Sequence, residues 1–326
     1  MDEAHGRVVA SGFRAAWWLP GGHAQTVYPF LARRESPPPL SRERLELDDG
    51  DFLDLDWTAD REQALVLVLH GLEGSVTSHY AARLLNRLSD AGFTAVFMYL
   101  RGCSGVPNRL PRRYHSGETG DLETVVRHVK ARFPERPLHA VGFSLGGNIL
   151  LKWLGERGET APLQRAVAVS VPFRLDSAAT RLERGLSRGY QRYLLRRLCA
   201  AFTEKLKQVA VPTVDAAVLQ RVRTLRDFDD AITAPLHGFR DADDYYRQSS
   251  CRQFLAGIGV PTLIVHARND PFMYPDVVPS AAELSASVRL ELSRDGGHVG
   301  FVGGRWPWAP RHWVHDRICE FLLTGC

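Results

Sequence analysis

Apolar and polar residues first alternate near residue 45. Leu45 and Leu47 are separated by polar positions, Asp49-Gly50 follows, and alternation resumes from Phe52 to Trp57. This predicts a β-hairpin turned at Asp49-Gly50. Six short, near-continuous apolar runs come after it: Ala64–Leu69, Phe93–Tyr99, Leu138–Val141, Ala166–Val171, Thr262–Val265 and Val288–Leu292. Runs of this kind, rich in Val and Leu, suit strands covered on both faces of a parallel sheet.

Helical periods fall between these runs. Tyr80, Leu84, Leu88 and Ala91 make one stripe, stopped by Gly92. Leu122, Val125, Val126 and Val129 make a second, with Asp121 placed to cap its N-terminus and Pro134 beyond its end. Strands alternating with helices predict an α/β fold with right-handed crossovers. The alternation stops at Pro172. From there to about Ala256 the pattern is helical, carried by Leu182, Leu186, Tyr190, Leu194 and Leu198. The predicted organisation is an N-terminal extension packed on the core (1–42, ending near Pro37-Pro38-Pro39), a core formed by 43–171 and 257–326, and a helical cap insertion at 172–256.

Composition adds limits. With 326 residues, 44% hydrophobic and 24% charged, the chain can bury one large core, which excludes disordered, collagenous and disulfide-scaffold classes. A net charge of +4 is too small to point to a nucleic-acid partner, and none is expected. The charge is unevenly placed, however. Arg181 to Arg226 holds eleven Arg or Lys against three acidic residues, and Arg184, Arg188, Arg192 and Arg196 recur every four positions. A solvated helix face is the plain reading, and peripheral contact with anionic lipid the sharper one. Five scattered cysteines without a C-x-x-C fit reduced thiols, with Cys103 a small buried filler. The acidic start and the lack of any apolar run near 18 residues predict neither a signal peptide nor a membrane span, so a cytoplasmic location is expected.

The chemistry centres on Gly142-Phe143-Ser144-Leu145-Gly146, a G-x-S-x-G between the predicted strand Leu138–Val141 and the helical stretch Leu145–Leu154. A serine on a strand-to-helix turn needs small neighbours, because its backbone is strained and the two elements nearly touch. The hydroxyl also needs a base, and on such a sheet the expected order is Ser, then Asp or Glu, then His. Asp270 follows the strand Thr262–Val265, and His298 follows the last strand within Gly296-Gly297-His298-Val299-Gly300. These three are the candidate catalytic residues: Ser144 the nucleophile, His298 the base and Asp270 its orienting carboxylate. Rivals are Asp243 and Asp244, read as surface charge, Asp295, read as a turn residue, and His79, His115 and His266, none of which follows a final strand. An oxyanion hole requires two backbone N–H groups. Leu145 supplies one. The second comes from His70-Gly71-Leu72-Glu73-Gly74, with Leu72 the first choice, Gly71 the second, and His70 shaping the loop.

That set of motifs, with Arg101-Gly102-Cys103-Ser104-Gly105, Tyr114-His115-Ser116-Gly117-Glu118-Thr119, Gly146-Gly147-Asn148, Tyr190-Gln191-Arg192-Tyr193-Leu194 and Asp244-Tyr245-Tyr246-Arg247, closely resembles the YheT-like branch of the α/β-hydrolases. The likeness runs from about Trp18 to the C-terminus. It departs at Gly21-Gly22, where the family often has Asn-Pro before His23-Ala24-Gln25-Thr26. The resemblance implies an α/β-hydrolase fold, a mostly parallel eight-stranded sheet flanked by helices with a helical cap. It also implies a serine hydrolase, with relatives linked to carboxylester or phospholipid acyl hydrolysis.

The expected activity is carboxylic-ester hydrolysis through an acyl-enzyme on a small-molecule or lipid ester, with no metal and no cofactor. H-E-x-x-H and the P-loop pattern are absent from the sequence. Two alternatives share the scaffold: an acyltransferase and a non-catalytic ligand- or partner-binding homologue. The nearest match to an H-x-x-x-x-D acyltransferase pattern, His266 to Asp270, is one residue short. Trp17 and Trp18 either pack on the body or line an acyl pocket.

Overall fold

The computed structural model describes residues 5–32 and 35–326; residues 1–4 and 33–34 of the predicted extension lie outside these. Nine strands form one sheet: β1 (Arg7–Ala10), β2 (Ser41–Glu46), β3 (Phe52–Trp57), β4 (Leu65–Leu69), β5 (Thr94–Met98), β6 (Leu138–Phe143), β7 (Arg165–Val169), β8 (Thr262–Ala267) and β9 (Val288–Ser293). Their spatial order is β1-β9-β8-β7-β6-β4-β5-β3-β2. Among the described residues of this sheet, only β2–β3 and β3–β5 pair antiparallel.

The eight strands read from the apolar runs and the hairpin are β2 to β9. The expected count of eight is corrected to nine by β1, which adds at the edge in register Arg7↔Arg289 to Ala10↔Leu292. Its four residues Arg-Val-Val-Ala are mostly exposed, too short and too wet to show a periodic signal. A further hairpin, β10 (Val302–Trp306) with β11 (Ala309–His312), precedes the C-terminal helix and also lacks an apolar run.

Side-chain alternation in the inner strands feeds two cores. Leu65, Leu67 and Leu69 of β4 join the core on one face, Val66 and Val68 the core on the other. All five are fully buried, a gross gain of roughly 10 kcal/mol from one strand, against which chain ordering is set. Helices α2 (Ala81–Asp90) and α10 (Trp313–Thr324) cover one face; α3 (Thr119–Arg132) and α4 (Leu145–Arg157) cover the other. Helix α2 stops as expected, with Gly92 at φ +85°. Asp121 does not cap α3. It lies in the first turn, and its carboxylate accepts two bonds from buried Arg101, each 2.7 Å, a stronger partner than a lone N–H.

Between β7 and β8 the chain is helical, with α5 (Leu175–Leu182), α6 (Ser187–Gln208), α7 (Leu225–Phe228), α8 (Ala234–His237) and α9 (Ala242–Ser249). The stripe expected across 182–198 is split at Gly185, and Leu186 is 76% exposed. The buried face of α6 instead carries Gln191, Leu195, Leu198 and Phe202, while Tyr190 and Leu194 turn to a cavity beneath. This layer has its own core around Leu195, Phe202, Phe228 and Ile232. Lys205 fastens it below by donating to Asn108 Oδ1 at 2.8 Å. No helix among the described residues is long and apolar enough to cross a membrane.

Candidate active site

The last residue of β6 is followed by Ser144 at φ 51°, ψ −117°, and α4 begins at once. A non-glycine residue at positive φ is strained unless its surroundings hold it. The Ser144 N–H donates to Val169 O of β7 at 2.8 Å. Small neighbours do the rest. A Cβ on Gly146 would lie 2.5 Å from His70 O and 2.6 Å from Leu69 O, so only glycine lets α4 approach β4. The serine thus stands at a helix N-terminus, where Leu145 N–H is among the donors without an intrahelical partner.

The imidazole is fixed from several sides. His298 N–H donates to Thr26 Oγ1 (2.8 Å), Gly297 N–H to Asn269 Oδ1 (3.0 Å) and Val299 N–H to Ser170 Oγ (3.0 Å). The Phe272 ring stacks on His298, centroids 3.9 Å apart and planes 3° from parallel. Held so, His298 Nε2 lies 3.0 Å from Ser144 Oγ and Nδ1 lies 2.8 Å from Asp270 Oδ2. The carboxylate can only accept, so the proton belongs on Nδ1, and Nε2 accepts from the serine hydroxyl. Asp270 is buried and its Oδ1 accepts the Phe272 N–H at 2.8 Å. The structure therefore brings together Ser144, Asp270 and His298, drawn from three loops at the C-terminal ends of strands.

In the loop after β4, Gly71 N–H donates to Tyr80 OH (2.8 Å), Glu73 N–H to Tyr114 OH (2.9 Å) and Gly74 N–H to Gly71 O (3.0 Å). Among the described residues nothing accepts from Leu72 N–H. Of the two candidates in this loop, then, Gly71 has its donor committed and Leu72 does not. Leu72, Leu145 and Ser144 line one cavity.

Comparison with known proteins identifies the family to which this fold belongs. Residues 64–304 match a family described as alpha/beta hydrolase fold. YheT of Escherichia coli (strain K12) is 45% identical over 93% of this chain and 90% of its own length. The mouse phospholipase ABHD3 is 31% identical over 93% of this chain and 76% of its own. The chain belongs to the α/β-hydrolase family, on its YheT-like branch. A solved relative in fold is the Pyrococcus furiosus esterase Pf2001, with TM-score 0.57 at 17% identity over 89% of this chain and 98% of that one.

The rivals in this α/β hydrolase have other partners. Asp243 pairs with Arg226 at 2.8 Å on the surface, and Asp244 accepts from Gln248 and from the Arg240 N–H. Asp295 accepts from Asn269 Nδ2 at 2.9 Å, tying the Asp270 loop to the His298 loop. His266 is fully buried against Phe173, and burial pushes its pKa down to about 4. His70 is likewise pushed to about 4; it bonds Gly71 O (2.6 Å) and accepts from Leu100 N–H (3.1 Å), bracing the loop.

His115 and Glu118 from the core and His237 from α8 offer ligand atoms within 4.8 Å of one another. This is the metal-competent cluster among the described residues. Glu118 is already held by the Arg112 guanidinium, however, and a second cation there would be repelled. Burial lowers the pKa of both imidazoles to about 3.

Several supporting residues were not read from the sequence: Thr26, Ser170, Asn269, Phe272 and the clamp role of Asn148. Asn148 donates to Ser116 O and Ser249 O (both 2.8 Å) and accepts from Cys251 N–H (2.9 Å), joining α4 to the end of the helical layer. For Thr26 a signal existed in His23-Ala24-Gln25-Thr26. Buried Gln25 donates to Val302 O (3.0 Å) and accepts from Val302 N–H (2.8 Å), so the motif staples the chain on both sides of the His298 loop. Trp17 and Trp18 lie outside the cavity. That cavity, about 600 Å³, reaches Ser144 and His298 and is walled by apolar side chains such as Leu194, Leu198, Phe202, Phe228 and Ile232.

Proposed function

We propose that the protein hydrolyses carboxylic esters through a Ser144–His298–Asp270 triad and an acyl-enzyme. The observation that carries this is the pair of contacts made by one imidazole, Nε2 to Ser144 Oγ at 3.0 Å and Nδ1 to Asp270 Oδ2 at 2.8 Å. Ser144 Oγ attacks the ester carbonyl as its proton passes to Nε2. The tetrahedral oxyanion accepts from Leu72 N–H and Leu145 N–H. Collapse breaks the C–O bond, and Nε2–H protonates the leaving alcohol. Water then enters, gives its proton to Nε2 and releases the acid, returning the serine proton. Asp270 stays ionised and pairs with the transient imidazolium.

An acyl chain of short to medium length, or one acyl chain of a lipid ester, is the substrate class proposed. The cavity volume lies in the range of small-ligand sites, and its walls are mostly apolar. Relatives named phospholipase and monoacylglycerol lipase support an acyl ester over a peptide. In this reading residues 172–256 act as the cap that selects the chain. The five unpaired cysteines suit a reducing cytoplasm.

Incubation with a fluorophosphonate probe tests the reading. The peptide containing Ser144 should carry one phosphonyl group, and Ser144→Ala should carry none and turn over no p-nitrophenyl ester. Folded wild-type protein that takes no label and cleaves no member of an acyl-length series would overturn it.

A further inference from the structure

A strip of exposed aromatic surface leads to the cavity. Trp17, Leu31, Trp306 and Trp308 are 72%, 73%, 42% and 78% exposed, and the contacts among their neighbours make them continuous rather than scattered. Trp17 Nε1 donates to Arg305 O at 2.9 Å, Trp306 stacks on Trp308 at 5.2 Å, and Tyr28 OH donates to Pro307 O at 3.3 Å. Tyr28 lies on α1 (Gly21–Leu31), whose last turn carries Phe30 and Leu31. Phe30 in turn meets Tyr193 of α6, centroids 5.5 Å apart. Phe30, Leu31 and Tyr193 also line the cavity, so the strip runs from the β10–β11 hairpin to its rim. Single exposed apolar side chains are ordinary; a connected strip of this kind marks a contact surface.

Charge specifies what it contacts. Helix α6 holds six basic residues and one acidic one, Glu204. Arg188, Arg192 and Arg196 are exposed, and each directly precedes a residue of the cavity-lining face: Gly189, Tyr193 and Arg197. A cationic ridge therefore runs alongside the apolar rim. Exposed tryptophans at one end of the strip and exposed arginines along the cavity rim at the other fit a medium that is apolar at one depth and anionic at the next, which is the interface of a charged bilayer.

We infer that this edge docks the protein on an anionic bilayer surface. The hairpin tryptophans and the end of α1 enter the headgroup layer, the α6 arginines lie against anionic headgroups, and the cavity rim faces lipid. The inference deepens the ester-hydrolase reading, since it gives the site a lipid source, but the docking itself has its own readout.

The full chain is mixed with sucrose-loaded vesicles of phosphatidylcholine, alone or with about a third phosphatidylglycerol, at low and high salt. It should cosediment with the anionic vesicles, weaken with salt, and lose tryptophan emission to brominated acyl chains. Arg188→Gln, Arg192→Gln and Arg196→Gln combined should weaken binding on the order of 100-fold. Trp306→Ser with Trp308→Ser should weaken it on the order of tenfold and remove most of the bromine quenching. None of these five residues lines the cavity, so both variants should keep wild-type turnover of a short water-soluble ester, which also reports an intact fold. No cosedimentation at low salt, or binding unchanged in both variants, overturns the inference. So does a light-scattering dimer that the double Trp variant converts to monomer, because a second copy would then cover the strip. Vesicle binding by protein whose Ser144 takes no fluorophosphonate would sink the enzyme reading and leave the docking standing.

Discussion

Changing Asp270 to Asn removes one charge and reverses one hydrogen bond while keeping shape, which makes it the sharpest probe of the proposed proton path. The carboxylate serves two donors at once: Oδ2 accepts from His298 Nδ1–H at 2.8 Å and Oδ1 from the Phe272 N–H at 2.8 Å. An amide has a single oxygen. Turned toward His298, it would set its NH2 against the Phe272 N–H and leave a buried donor unpaired, at a cost of about 1–3 kcal/mol. Turned toward Phe272, it points NH2 at Nδ1 and obliges the imidazole to carry its proton on Nε2, which costs little. The second arrangement prevails. Nε2–H then donates to Ser144 Oγ, and no base is left to accept the serine proton.

The expected loss in kcat is roughly 10⁴-fold, about 5.5 kcal/mol of transition-state stabilisation. KM for a short p-nitrophenyl ester should change little, since Asp270 is buried behind His298 and does not line the cavity. Fluorophosphonate labelling of Ser144 should slow in parallel, because it needs the same base. Steady-state kinetics and a labelling time course on the same preparation measure both. An Asn variant that keeps a tenth or more of wild-type kcat would refute the assigned tautomer and remove Asp270 from the mechanism.

Gly146→Ala sets a Cβ within 2.6 Å of two backbone carbonyls, Leu69 O and His70 O; it should cost about 1–3 kcal/mol in urea unfolding and lower kcat by displacing the Leu72 loop, and unchanged stability would refute the tight approach. Thr26→Val strips the acceptor from the buried His298 N–H, so kcat should fall with a loss of about 1–3 kcal/mol, whereas Thr26→Ser should restore both; equal behaviour of Val and Ser would refute the staple. His70, His266 and His315 are fully buried, and burial pushes their pKa down to about 4, about 4 and about 3. Their neutral forms fold while the unfolded chain takes protons below about pH 6.5, so stability is complete above that pH and declines toward pH 4 and below, by up to about 4 kcal/mol per pH unit for the three; a flat urea midpoint from pH 7.5 to 5 would contradict this.

The sheet was legible because its inner strands are buried on both faces. Leu65 to Leu69 must be apolar at every position, since odd residues serve one core and even residues the other. That requirement writes a continuous run into the chain. β1 and the β10–β11 hairpin answer to no such requirement. Arg7–Ala10 is mostly exposed, Gly304 is half-buried, and Arg305 to Trp308 are exposed. Helix α6 was legible as a helix but not in its facing, because a helix over a cavity has two apolar flanks. Tyr190 and Leu194 serve the cavity, Leu195 serves the layer's core, and Leu198 and Phe202 meet both, so the period alone could not choose between them.

The candidate site divides along a similar line. Ser144, Asp270 and His298 each follow a strand in a turn with its own local signature, so the order of elements along the chain was enough to nominate them. Their supports act across space. Thr26 is 272 positions from the His298 N–H it receives, and Ser170 is 129 from Val299; a hydroxyl accepting one backbone bond imposes no pattern on its neighbours. The N-terminal segment illustrates the point. Taken from sequence as an extension on the core, it supplies Gln25 and Thr26, which pin Val302 and His298 on either side of the imidazole loop. That loop holds Val299 and Phe301 at φ 57° and 45°, conformations that non-glycine residues keep only when other contacts determine them. The strain needed to present the imidazole is thus held by bonds from a segment far away in the chain, and the geometry of His298 depends on that segment as directly as on the last strand.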